Sequence, residues 1–158
     1  MKKNTWKIYA LGIFLAEAVG ALSGWLSRDG MKIFNASITQ PPLSPPFFLF
    51  PIVWGILYAL MGISSTRIYM SPQSRDRSQG LNVYIIQLIV NFFWSLIFFN
   101  AQAFAFAFIW LLLLWVLVLW MILIFYRIDP FAAKLQIPYL LWLSFAAYLN
   151  FGVWYLNR

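Results

Sequence analysis

The chain is 158 residues long, 63% hydrophobic and 21% aromatic, with only 9% charged residues and a formal net charge of +7. A soluble domain carries roughly 25% charged residues, so this composition excludes an ordinary water-soluble enzyme. The absence of cysteine and histidine excludes disulfides and thiolate chemistry, and removes the commonest metal ligand and general base.

Five apolar runs, about 6–26, 47–69, 81–99, 104–126 and 135–156, reach the roughly 18–20 residues that cross about 30 Å of hydrocarbon. Backbone groups at membrane depth must pair within their own segment, which makes each run a helix. The expectation is an all-α integral membrane protein: a single five-helix transmembrane bundle over 1–158, with no separate soluble domain.

The first run opens as MKKNTWKIYALGIFLAEAVG, which has the basic start of a secretory signal. Its length, the mid-run Glu17 and the lack of a small-x-small cleavage site make it a span rather than a cleaved leader. Glu17 is expected to be protonated or paired with a polar group on another helix, since an ionised carboxylate at that depth is costly. A proton relay finds no second intramembrane carboxylate to pass a proton to.

Ser27 to Pro46 is the one long connection, ending in PPLSPP, and with Pro51 it places five prolines in eleven residues. Proline has no N–H and blocks the preceding helical turn, so Pro41, Pro42, Pro45 and Pro46, with Leu43 among them, make a stiff, extended approach to the second run. In that run Trp54, Tyr58 and Met61 recur at i, i+4 and i+7 and share a face. Ser71 to Gly80, SPQSRDRSQG, is polar and breaker-rich and reads as a simple turn.

The third run places Gln87, Asn91, Trp94, Ser95 and Phe98 on one face. Amides in hydrocarbon need partners, so this face points into the bundle, either as interhelical hydrogen bonds or as a polar anchor for a ligand. A few residues near Asn100–Ala103 make the third and fourth spans antiparallel neighbours. In the fourth, Trp110, Trp115 and Trp120 each turn by about 140° from the last, so they diverge and read as packing or lipid-facing residues. Asp129-Pro130 within RIDPFAAK stops that helix. The fifth aligns Tyr139, Trp142, Phe145 and Leu149, with Asn150 close by. Three aromatic stripes on three helices, one of them polar, suit a cavity for a large, flat, apolar ligand.

The basic residues form no stripe on a folded surface, which argues against nucleic acid as a partner; they lie in tails and turns. Lys2, Lys3, Lys7, Arg67, Arg75, Arg77, Arg127 and Lys134 fall on one side, and Arg28, Lys32 and Arg158 on the other. The positive-inside rule then puts the N-terminus in the cytoplasm and the C-terminus outside, in a plasma membrane of bacterial type. The terminal VWYLNR fits the loose sterol-contact pattern and equally an aromatic–basic helix end at the membrane interface.

The motifs PPLSPP with FPIVWGILYALMG (Phe50–Gly62), NFFWSLIFFNAQ (Asn91–Gln102) and IPYLLWLSFAAYLN (Ile137–Asn150) resemble, in order, those of the translocator protein or tryptophan-rich sensory protein (TSPO) family. The resemblance covers essentially the whole chain. It implies a five-helix bundle, commonly a homodimer, binding porphyrins such as protoporphyrin IX or haem as ligand in an intra-bundle pocket, with no metal of its own. The role implied is sensory, scavenging or regulatory; the alternatives are light- and oxygen-dependent porphyrin breakdown and transport of tetrapyrroles or other amphiphiles. By motif position Trp54, Asn91, Trp94 and Trp142 line that pocket, with Phe145 near its wall, and Tyr58 and Gln87 join them from the stripes above. The Pro-rich loop becomes its lid. Two departures fall in this lid: Leu43 stands where many members have Trp, and of the usual preceding aromatic pair only Phe34, beside Asn35, remains.

Overall fold

The computed structural model describes residues 4–158. Lys2 and Lys3, counted above in the charge bias, lie outside the described residues. The chain forms α1 (Thr5–Leu26), α2 (Arg28–Ser37), α3 (Leu49–Tyr69), α4 (Arg75–Ser95), α5 (Phe104–Ile128), α6 (Pro130–Leu135) and α7 (Ile137–Asn157). Five helical rods, with α6 and α7 forming the last, are long and apolar enough to span a membrane.

Packing follows small residues where backbones must approach. Against α3, α1 comes so close that a Cβ on Gly62 would lie 2.5 Å from Ile13 Cα, and one on Gly12 would strike the Thr66 hydroxyl. Without a hydrophobic effect between helices in lipid, such contact is a main source of association. α5 packs on α4, α6 and α7, and its Leu111, Leu114, Val118, Met121, Ile124 and Phe125 are almost wholly buried. The least covered rod is α1, buried only at Thr5, Ala16 and Ser23.

Three local features depart from the sequence expectation. Half of the long connection is helix: in α2, Gly30 and Phe34 turn inward with Asp29 in the first turn. Phe34 packs against Phe98, Phe99, Phe47 and Phe104, with ring centroids 5.2 to 6.3 Å away. The polar segment read as a turn is shorter than expected, because α4 starts at Arg75, with the Ser74 hydroxyl accepting from the Arg77 N–H at 3.0 Å. A serine N-cap satisfies one of the four orphan N–H groups of a helix start. Finally, RIDPFAAK ends α5 as expected but starts α6 at once: the Asp129 carboxylate caps it by accepting from Phe131 N–H at 3.1 Å, and Pro130 occupies its first turn.

Beyond Ser95, α4 widens over Leu96–Asn100, where Ala101 N–H bonds to Leu96 carbonyl at 3.0 Å, one residue further back than an α-helix requires. Such π-type turns favour functional sites. Here the turn lets Phe98 and Phe99 both face the interior beside Trp94, which stacks on Phe98 at 4.9 Å.

Candidate functional site

A cavity of about 590 Å³ occupies the half of the bundle that faces α2 and the Pro-rich loop. Its walls come from the C-terminal half of α1, the N-terminal half of α3, the end of α4 and the later part of α7. On α1 the deepest wall residue is Glu17, on α3 Tyr58, on α4 Asn91 and on α7 Trp142, so these four mark the floor. The mouth is bounded by Gln40, Ser44, Phe47 and Phe48. No residue of α5 reaches the wall: Trp110 donates to Val90 carbonyl at 2.7 Å, Trp115 donates to Ser144 Oγ at 2.9 Å, and Trp120 is exposed.

Hydrogen bonds lock the floor. Tyr58 donates to Asn91 Oδ1 at 2.8 Å, Asn91 Nδ2 donates to Tyr139 Oη at 2.6 Å, and Tyr139 donates to Gln87 Oε1 at 2.7 Å. Gln87 Nε2 ends the chain on Met61 Sδ at 3.9 Å. Tyr58, Asn91, Tyr139 and Gln87 thus satisfy one another in a region where bare polar atoms are costly, and the rotamer of Asn91 is held from both sides. Higher on the wall, Trp94 donates to Asn150 Oδ1 at 3.1 Å, while Asn150 Nδ2 donates to Phe104 carbonyl at 2.9 Å. Trp54 meets Tyr58 at 5.6 Å and Tyr139 edge-on at 6.2 Å, and Phe50 meets Trp142 at 5.8 Å.

Of the residues expected in the site, Trp54, Tyr58, Asn91, Trp94 and Trp142 face the cavity together. Two do not. Gln87 is fully buried beneath the floor, as an interhelical bonding group, and Phe145 stands off the wall beside Trp142 at 5.6 Å. Among the lid residues, Pro41, Pro42, Leu43, Pro45 and Pro46 do not contribute to the cavity wall, and the neighbouring Gln40, Ser44 and Phe47 line it instead. Met31 of α2 was missed, and Phe34, noted only as a remnant of the lid's aromatic pair, was not expected on the wall. Their i, i+3 spacing is a periodicity signal for a shared face, and Gly30 beside them disguises it as a loop.

The lid is tied to α7. Thr39 N–H donates to Asn157 Oδ1 at 3.0 Å, and Asn157 Nδ2 donates back to Thr39 carbonyl at 2.7 Å. Tyr148 donates to Pro42 carbonyl at 2.7 Å, and Pro41 lies so close to Gly152 that a Cβ there would meet it at 2.6 Å. The turn itself is closed by Ser44, whose N–H and hydroxyl both reach Pro41 carbonyl, at 3.3 and 2.7 Å. Leu43 sits in that turn at φ 70°, a left-handed conformation that costs a side-chain-bearing residue about 1–2 kcal/mol. Its side chain is 82% exposed.

Among the described residues, no group of three or more His, Cys, Asp or Glu could hold a metal ion. Fold and cavity together define an integral membrane protein of five helices with an aromatic-walled, lidded internal chamber. The profile of the TspO/MBR family matches residues 12–156. The chain is 33% identical over 153 residues to a translocator protein of Ovis aries, covering 94% of this chain and 90% of that one. It is 34% identical over 149 residues to a tryptophan-rich protein TspO of Chlorobaculum tepidum, covering 94% of both. A tryptophan-rich sensory protein of Cereibacter sphaeroides is 32% identical over 121 residues, 77% of this chain and 75% of that one. The chain belongs to the TspO/MBR family.

Proposed function

We propose that the protein binds planar hydrophobic ligands of the porphyrin or tetrapyrrole class in this chamber, in a sensory, scavenging or regulatory role. The observation that carries the proposal is the convergence of Trp54, Trp94 and Trp142 from three helices on one cavity of about 590 Å³. That volume lies within the roughly 300–1,000 Å³ of small-molecule sites, and indole faces suit a flat conjugated ring. The Cereibacter sphaeroides relative is called a tryptophan-rich sensory protein, which supports the signalling part of the reading.

The residues fit the ligand as a stacked guest. The chain has no histidine or cysteine. Metal-free porphyrin and haem would therefore be held alike, by the rings around them rather than by an imidazole or thiolate on iron. A bacterial-type plasma membrane, a cytoplasmic N-terminus and pairing of two copies belong to the same proposal, drawn from the charge distribution and from the family.

Titration of the detergent-solubilised protein with protoporphyrin IX, followed by Trp fluorescence, tests it. Trp54→Ala and Trp142→Ala are each expected to weaken binding by about tenfold, the worth of one aromatic contact of about 1.4 kcal/mol. Wild-type affinity in both variants would remove the site assignment.

A further inference from the structure

Glu17 is unused by the fold. It lines the cavity at its deep end, and it makes no hydrogen bond or ion pair with any described residue. Every other acidic residue, Asp29, Asp76 and Asp129, lies at a helix end. A carboxyl group placed within a membrane span is costly unless it meets a partner, and such residues mark ligand or ion sites.

The surroundings indicate which partner. No lysine, arginine or histidine contributes to the cavity wall. Part of the donor set is already committed: the Tyr58 hydroxyl to Asn91, one Asn91 amide hydrogen to Tyr139 and, higher on the wall, the Trp94 indole to Asn150. An anionic group arriving at the floor would find no cation there, only neutral donors such as the Trp142 indole N–H, and would meet Glu17. A cationic group would meet a carboxyl group with both oxygens open. The Tyr58 ring packs on Gly20, one turn along α1 from Glu17, so the aromatic wall and the acid are adjacent.

We propose that Glu17 makes the floor a subsite for a protonated amine at the inner end of a planar aromatic ligand, held as an ion pair with the carboxylate. The inference rests on the cavity being a ligand site, as proposed above, and adds the polarity of what enters it. The amine exchanges water for a carboxylate in an apolar chamber, where an ion pair is far less screened than at a surface. Aromatic ligands whose polar ends are carboxylates are then accepted only with those ends at the mouth, beside Gln40 and Ser44, and with an uncharged edge at the floor.

Two flat probes of similar size separate the possibilities: the aminoacridine cation and anthracene carboxylate, titrated at neutral pH into the full chain in lipid nanodiscs. Wild type is expected to bind the cation at least about tenfold more tightly than the anion, and Glu17→Gln to abolish that preference by weakening the cation. Trp54→Ala should weaken both probes and keep the preference. If Trp54→Ala weakens both while Glu17→Gln leaves the preference intact, the assignment of Glu17 is overturned and the cavity reading stands. If neither substitution changes the binding of either probe, both are overturned. Should Glu17→Gln fail to fold, Glu17→Met, similar in volume and uncharged, gives the same reading.

Discussion

Gln87 and Asn91 are one helical turn apart on α4, carry the same amide chemistry and have different jobs. Asn91 reaches the cavity, whereas Gln87 lies below it, between Tyr139 and Met61. Their shared face was legible from spacing, and so was the need for partners. Which of the two meets a ligand depends on where the chamber ends, and that is set by Tyr58 and Tyr139 from α3 and α7. Replacing Gln87 by Ala is accordingly expected to lower the melting temperature while leaving porphyrin affinity within about twofold of wild type. The Tyr139 hydroxyl loses its acceptor, a loss of about 1–3 kcal/mol for a buried polar group. A thermal melt alongside the fluorescence titration checks both halves; a large drop in affinity with unchanged melting would place Gln87 in the site after all.

At the scale of elements, the joint between α5 and α6 shows a charge placed for the fold. Arg67 of α3 donates to Asp129 at 2.7 Å and lies over the Phe131 ring at 4.7 Å, so one ion pair binds the end of α3 to the start of α6. Partial burial pushes the Asp129 carboxyl up, but the Arg67 hydrogen bond and charge, with the Ala132 and Phe131 N–H groups, outweigh it and hold the group below its ordinary value. A carboxylate depressed in the folded state adds stability above its unfolded pKa and loses it as pH falls through the folded one. The melting temperature should thus fall on acidification below about pH 4. Asp129→Asn keeps an N-capping side chain and removes only the charge. Its melting temperature should be lower than wild type at neutral pH, and the two should converge as the medium becomes acid. Parallel curves would show that the pair contributes nothing.

The opposite end of the bundle shows what sequence reading loses at this scale. The prolines read as an extended approach, whereas Pro41–Ser44 closes into a turn, and α2 before them was not foreseen. Ten residues, with a glycine and five polar or charged side chains among them, are too short a stretch for the apolar face of Met31 and Phe34 to stand out from a loop. The helix exists because Phe34 finds a pocket among Phe98, Phe99 and Phe104, which are distant in sequence. The widened turn of α4 is similar: nothing in LIFFN forbids an α-helix.

Across the whole molecule, cavity and charge divide the bundle. The chamber takes the half next to the lid, while Arg67, Arg77, Arg127 and Lys134 gather at the other end of the rods. There Arg127 bonds Asp76 at 3.2 Å and Arg77 caps the Tyr69 carbonyl at 2.8 Å. In the orientation proposed above from the positive-inside rule, that end would be cytoplasmic and the lid outside. A chain without cysteine is convenient for testing this. In intact cells a membrane-impermeant thiol reagent should label a cysteine at Leu43 and leave one at Gln73 unlabelled until the cells are opened. The reverse pattern would invert the orientation, and crosslinking of the same variants reports whether copies pair.

The sequence by itself determined that the chain lives in a bilayer, how many times it crosses and which faces of three helices turn inward. Each of these follows from local quantities, run length and residue period, that hydrocarbon enforces on every segment alike. Only the tertiary structure decided that Glu17 joins Tyr58, Asn91 and Trp142 at one floor, that Gln87 and Phe145 stay outside, and that Asn157 holds the lid. Those outcomes depend on how far each rod slides against the next, and that offset comes from packing between surfaces far apart in the chain.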